Sequence, residues 1–212
     1  EDGTEGLDLW YDVYLGRLPA SNGEEAEIMV DKIFAYRSTP RESGFSERMG
    51  MAAAQIHYLW QDYSKGIVVD DATYYWHYTA KPHFDNSRRF NRMGIDELYE
   101  DKVLEDGSII NDSIQITFDK MSEFFSRGYN MTFFTFHGSP QGIQICSDTT
   151  IQSFYTYDNI LNLKSDYLSN IMSISCSVMK LRPDSTMCFA KSFLANPDGG
   201  GVSYTGASGI DY

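Results

Sequence analysis

Three short apolar runs dominate the second half of the chain. Met131, Thr132, Phe133, Phe134, Thr135 and Phe136 form the first, which stops at His137-Gly138-Ser139-Pro140. Ile171, Met172, Ser173, Ile174 and Ser175 form the second, which stops at Cys176. Gly201, Val202, Ser203, Tyr204 and Thr205 form the third, which stops at Gly206-Ala207-Ser208. Short runs of apolar, β-branched and aromatic residues bounded by turn formers predict strands buried on both faces. Helical patterns fall between them. Asn111 or Asp112 is placed to cap a helix with Ile114, Phe118, Met121 and Phe125 on its apolar face, ended by Gly128. A second helical stretch runs over 188–194 and is closed by Asn196-Pro197-Asp198-Gly199. Strands alternating with helices predict an α/β fold: a mostly parallel sheet with helices on both faces, in three α/β/α layers.

The first half is harder to read. Residues 1–6 are rich in Gly and acid and predict a loop, and Trp10-Tyr11-Asp12-Val13-Tyr14-Leu15 is a β-prone run stopped by Gly16. Ser21 and Glu24 have capping-box spacing, and Ala26, Val30, Ile33 and Phe34 recur at the helical period until Pro40. The stretch 49–63 opens with Met51-Ala52-Ala53-Ala54 and is ambiguous between strand and helix. Residues 64–93 predict a surface excursion through the aromatic cluster Tyr74-Tyr75-Trp76-His77-Tyr78, leading into a helix over 86–93.

Composition narrows the function classes. With 212 residues, 42% hydrophobic and 22% charged, the chain has enough material for one sizeable core. A net charge of −13 argues against nucleic acid, whose phosphates repel such a surface. The basic cluster Arg88, Arg89 and Arg92 has helix-like spacing and reads as a solvated face. No run approaches the roughly 18 apolar residues of a membrane span. Cys146, Cys176 and Cys188 are an odd number without C-x-x-C spacing, so at least one thiol is free.

In parallel α/β sheets ligands bind outside the carboxyl ends of the strands, and His137 and Cys176 both fall there. They lie 39 residues apart, one strand–connection–strand unit, so neighbouring strands can bring them together. An imidazole beside a thiol favours the nucleophilic thiolate and can protonate a leaving amine. Gly138 lacks a side chain, so its amide can approach a reacting carbonyl and, with the amide of Cys176, form an oxyanion hole. Read from the residues alone, Cys176 stays open between nucleophile and small buried hydrophobe. A metal hydrolase built on His77, His83 and His137 lacks a carboxylate at ligand spacing.

The ordered set Phe133-Phe134-Thr135-Phe136-His137-Gly138-Ser139, Ser173-Ile174-Ser175-Cys176, Cys188-Phe189-Ala190-Lys191-Ser192-Phe193-Leu194 and Gly199-Gly200-Gly201-Val202-Ser203-Tyr204-Thr205-Gly206-Ala207-Ser208 resembles the gingipain family. So does the early segment Asp12-Val13-Tyr14-Leu15-Gly16-Arg17-Leu18-Pro19. The resemblance implies a caspase-like core and a secreted cysteine endopeptidase acting through a thioester acyl-enzyme. It makes Cys176 the nucleophile, His137 its partner, the amides of Gly138 and Cys176 the oxyanion donors, and Cys188 structural. It also implies that residues 1–212 form a single catalytic subdomain, truncated at both ends relative to the full peptidase. The implied address is extracellular or cell-surface. The implied partners are a polypeptide substrate and the remaining part of the protein's own processed precursor. No cofactor is required; structural calcium is left open, with no motif to support it.

Two positions depart from the family pattern. Phe136 stands where a small residue is usual, and its bulk is expected to alter access to the site. Gln55 follows the Ala52-Ala53-Ala54 run where arginine-specific members carry a histidine-orienting Glu; it can accept from imidazole but cannot neutralise imidazolium. The acidic residue that would select Arg at P1 is left open among Asp70, Asp71 and Asp85. The departures motivate an alternative: a non-catalytic or transpeptidase-like member of the same fold, acting in protein secretion or surface attachment.

Overall fold

The computed structural model describes residues 16–40, 43–56, 72, 75–88, 90–100, 115–147, 150–181 and 187–209. The β-prone run at 10–15, the caps Asn111 and Asp112, Ile114, Tyr74, and the acidic residues Asp70 and Asp71 lie outside them, as does Arg89.

Five strands form a parallel sheet in the order β2-β1-β3-β7-β8: β1 Arg48–Ala53, β2 Gly94–Tyr99, β3 Met131–Thr135, β7 Ser169–Ile174 and β8 Gly201–Thr205. β3 lies at the centre, paired with β1 on one side and β7 on the other. A second, antiparallel sheet of β4 His137–Ser139, β5 Gly142–Ser147 and β6 Thr150–Thr156 grows directly out of the end of β3. The three runs expected as strands are strands, but of the three only β3 is buried on both faces, β7 exposing Met172 and Ile174. β1 makes a strand of 48–53, the opening of the ambiguous stretch 49–63, whose residues 57–63 lie outside the described ones. The antiparallel sheet is an element that the hydrophobic pattern does not predict.

Helices cover both faces, giving the three-layer α/β architecture. On one face α3 (Phe118–Arg127), α4 (Tyr157–Leu161) and α5 (Phe189–Ala195) pack with Phe134, Ile171 and Tyr204 into the main core. On the other, Trp76 and Ala80 from a π-helical turn (Tyr75–Ala80), with Phe84 of α2 (Lys81–Asn86), cover Met49, Met51, Ala53 and Phe133. The helix expected over 86–93 is thus displaced: Pro82 starts α2, and the chain turns between Ser87 and Met93. Trp76 of the aromatic cluster is core, its Nε1 donating to Thr135 Oγ1 at 2.8 Å, while Tyr75 is exposed. Arg88 and Arg92 are exposed, on turns rather than a helix.

Two caps move. α3 is capped by Thr117, whose side chain accepts from Lys120 N, and ends at Gly128 with φ 62°. Its buried face is Met121, Phe124 and Phe125, with Phe118 exposed. α1 (Gly23–Arg37) is capped by Asn22 rather than Ser21, while Ser21 N donates to Glu25 Oε2. The inward face of α1 also differs from its apolar periodicity. Met29 and Lys32 are buried, whereas Phe34 is 62% exposed and Val30 and Ile33 are exposed as well.

Two buried lysines explain that orientation. Lys32 Nζ donates to the carbonyls of Phe193 (2.5 Å), Gly199 (2.7 Å), Asn196 (3.0 Å) and Leu194 (3.3 Å) at the C-terminal end of α5. Those carbonyls have no intrahelical donor, and an ammonium there suits the helix dipole. At the other end, Lys191 of α5 reaches Glu25 Oε2 at 2.7 Å and Ser21 Oγ at 2.5 Å. Lysine hydrogen bonds and one ion pair, together with buried Met29, hold α1 against α5.

Candidate functional site

The register of the sheet determines what meets at its carboxyl edge. β3 and β7 pair in parallel with Thr135 opposite Ile174, so His137 and Cys176, each two residues on, leave the sheet side by side. Neighbouring strands are about 4.8 Å apart. Beyond the strands the two segments stay in contact. Phe136 N donates to Ile174 O at 3.3 Å and to Ser175 Oγ at 3.2 Å. A Cβ at Gly138 would lie 2.6 Å from Cys176 O and 3.0 Å from Ser175 Cβ, so only glycine lets the histidine segment lie against the cysteine turn.

His137 is half-buried at the start of β4, opposite Gln144 of β5. Its Nε2 is 3.0 Å from the carbonyl oxygen of Ile56. A carbonyl can only accept, so this bond requires the proton on Nε2 and leaves Nδ1 as the lone-pair nitrogen of the neutral ring. The segment that supplies this carbonyl follows β1. Ala54 N donates to Thr135 O at 2.9 Å, and Gln55 N donates to the buried carboxylate of Glu100, Oε2, at 2.7 Å. Gln55 therefore lies next to the residue whose carbonyl receives the imidazole.

No motif in the sequence singles out Glu100. It directly follows β2, where Glu100 N donates to Ala53 O. The available signal was an acidic residue at a strand's carboxyl end. The Ile56 carbonyl, being backbone, leaves no signal in side-chain identity.

Cys176 is a half-buried cysteine in a tight turn. Ser177 adopts φ 57°, an uncommon left-handed conformation for a residue with a side chain. The turn is held from two directions. Ser177 N and Met179 N donate to Gly209 O (2.6 Å) and Ala207 O (2.9 Å) in the segment after β8. The N-terminus of α5 takes up both loops, Phe189 N donating to Pro140 O at 2.8 Å and Ala190 N to Val178 O at 3.0 Å. Helix amides without intrahelical partners thus anchor the β4–β5 turn and the cysteine turn to one rigid element.

Phe136 lies elsewhere than its bulk suggested. Its side chain is 2% exposed within the main core, edge-on to Phe134 at 6.0 Å, so it fills space beneath the sheet instead of the site's mouth. Alternation along an extended chain puts Phe136 and His137 on opposite sides. Cys188 is buried as the residue preceding α5, and burial pushes its thiol up from the ordinary range. The side chains of Cys146 and His77 lie outside the described residues. His83 is exposed on α2, and Asp85 is exposed and paired with Lys81 at 3.1 Å. Among the described residues no group of three or more His, Cys, Asp or Glu could hold a metal ion. None of their helices is long and apolar enough to cross a membrane.

The model of peptidase family C25 matches residues 2–212. An uncharacterized protein of Archaeoglobus fulgidus is 26% identical over 97% of this chain and 49% of its own length. The crystal structure of the Arg-specific cysteine proteinase gingipain R (RgpB) superposes with a TM-score of 0.68 at 16% identity, covering 98% of this chain and 42% of that one. A complex of the Porphyromonas gingivalis RgpB pro- and mature domains gives 0.64 at 16% identity, covering 96% and 43%. The chain thus spans about half the length of these relatives or less.

Proposed function

The chain belongs to peptidase family C25, and we propose that it is the catalytic subdomain of a secreted cysteine endopeptidase with His137 and Cys176 as its reactive pair. The observation that supports this reading is the shared register of β3 and β7, which end level with each other two residues before His137 and Cys176. In this mechanism Nδ1 of His137 takes the thiol proton while Nε2–H stays on the Ile56 carbonyl. The Cys176 thiolate attacks the substrate carbonyl carbon, and the electron pair of the C=O bond moves to oxygen. The amides of Gly138 and Cys176 receive that oxyanion.

Ser139 and Gly142 close a two-residue turn, so the next pair, Gly138 and Ile143, is the non-hydrogen-bonded one. Alternation therefore turns the Gly138 N–H away from β5, as an oxyanion donor requires. Collapse of the tetrahedral species breaks the C–N bond, with the imidazolium proton passing to the leaving amine and a thioester remaining on Cys176. Water, deprotonated by the same imidazole, hydrolyses the thioester and restores the thiol. No step is routed through a metal or other cofactor.

The family and the fold of its relatives support an extracellular or cell-surface address, a polypeptide substrate, and the rest of the protein's own precursor as partner. Phe136 in the core removes one motive for a non-catalytic reading. The test is turnover of a fluorogenic peptide library differing at P1 by the full-length protein. Cys176→Ala and His137→Ala should each abolish cleavage, and a chelator should leave it unchanged. Cleavage by a Cys176→Ala protein would overturn the proposal.

A further inference from the structure

The residue that ties the two halves of this site together is neither His137 nor Cys176. Where β3 and β7 end, their parallel ladder ends with them, because β4 turns off into its hairpin and the Cys176 turn bends toward the segment after β8. One side chain extends the ladder past that point. Ser175 is 2% exposed, and its Oγ accepts from Phe136 N at 3.2 Å. Each partner of that bond immediately precedes one member of the reactive pair. The same amide reaches Ile174 O at 3.3 Å, so the hydroxyl takes half of a three-centre bond at the last rung. The close approach of Gly138 adds to this, since a Cβ there would lie 3.0 Å from Ser175 Cβ.

We propose that Ser175 is a positioning residue, its buried hydroxyl holding the His137 segment level with Cys176. The inference rests on the cysteine-peptidase reading of that pair. A short side chain bearing an acceptor is what the place requires. Alanine keeps the volume but leaves the Phe136 amide with only its longer backbone bond, so the fold is retained while the spacing of the two loops relaxes. Displacements well below 1 Å matter in such a site, because a misplacement of about that size costs roughly a hundredfold in rate.

The test is the rate of Cys176 alkylation by iodoacetamide in the full-length protein, read by peptide mapping. Four proteins are compared: wild type, Ser175→Ala, His137→Ala and the double variant, each with Cys176 intact. Buried Cys188 is the internal check on folding, since unfolding would label it as well. His137→Ala should slow alkylation of Cys176 strongly. Ser175→Ala should slow it about tenfold in the wild-type background and less than about twofold when His137 is already absent. Cys188 should stay unlabelled throughout. Equal losses in both backgrounds, or no loss in the wild type, would overturn the positioning role. If Ser175→Ala labels Cys188, Ser175→Thr, which keeps the acceptor, takes its place and must retain at least a third of the wild-type rate; a larger loss counts against the role. A wild-type rate unaffected by His137→Ala would instead sink the reading of the pair itself, and so separates the two failures.

Discussion

Gly138 offers the sharpest quantitative prediction. An alanine Cβ there would lie 2.6 Å from Cys176 O, 2.8 Å from Val178 Cγ1 and 3.0 Å from Ser175 Cβ. Valine's methyl can rotate or yield, but a backbone oxygen moves only with its chain. Ordinary van der Waals contact needs about 3.4 Å, so the two loops must separate by roughly 0.8 Å. Overpacking of this kind costs about 1–3 kcal/mol. A change in spacing of that size between nucleophile and base should lower turnover by roughly 30- to 100-fold. The assay pairs urea unfolding with peptide turnover for Gly138→Ala, with Gly94→Ala as control. At Gly94 the added carbon meets only Glu47 O, at 3.9 Å, and stability should change by less than about 0.5 kcal/mol. The reasoning fails if Gly138→Ala unfolds at the wild-type urea midpoint and turns over substrate at the wild-type rate. It also fails if turnover falls only in proportion to the folded fraction.

Other consequences can be measured with the same methods. Lys32→Met leaves four carbonyl oxygens at the end of α5 without their donor; although burial pushes the ammonium down to about 7, the variant should lose about 3 kcal/mol in urea unfolding. A variant as stable as wild type would mean that desolvation cancels the four bonds. Ser177→Gly removes the left-handed strain and keeps the backbone bond to Gly209, so it should be neutral or stabilising by up to about 1 kcal/mol, whereas Ser177→Val should cost about 2 kcal/mol. Phe136→Ala should cost about 3–5 kcal/mol through the cavity it leaves, while Phe136→Leu should retain most turnover; a gain in turnover on shortening the side chain would show that Phe136 obstructs the site. At Glu25 burial pushes the carboxyl up, but the Lys191 hydrogen bond and the Ser21 amide outweigh it, and its net shift is downward from 4.5. The pair's stabilisation is therefore present above pH 4.5 and is lost as the pH falls through the lower folded value. The difference in Tm between wild type and Glu25→Gln should close as the pH drops below 4.5, and a constant difference would contradict it.

What could be read from the sequence and what could not divide along physical lines. β3 is legible because a central parallel strand is apolar on both faces, as Phe133 and Phe134 make it; β7, which exposes Met172 and Ile174, and the edge strand β8 are legible as short β-prone runs ended by turn formers. β1 was not, because Met49-Gly50-Met51-Ala52-Ala53 has no β-branched residue; its pairing with two neighbours makes it a strand. The inward face of α1 departs from its apolar periodicity because its orientation depends on Lys32 and Lys191, residues usually assigned to solvent. The antiparallel sheet had a faint signal in the spacing of Ile143 and Ile145, which a search for long apolar runs passes over. In the site, side-chain chemistry pointed to His137, Gly138 and Cys176. The Ile56 carbonyl, the Glu100 carboxylate behind it and the amides of α5 that anchor both loops depend on backbone placement, which sequence expresses only through the fold.

The central claim is that one thiol, activated by one imidazole, carries the chemistry. Its most direct test is the mass of the full-length protein after reaction with a panel of peptidyl chloromethyl ketones, followed by mapping of the modified peptide. The account predicts one adduct per chain, on Cys176, absent from both Cys176→Ala and His137→Ala proteins. A folded protein that forms no adduct with any member of the panel, or forms it equally without His137, would contradict it.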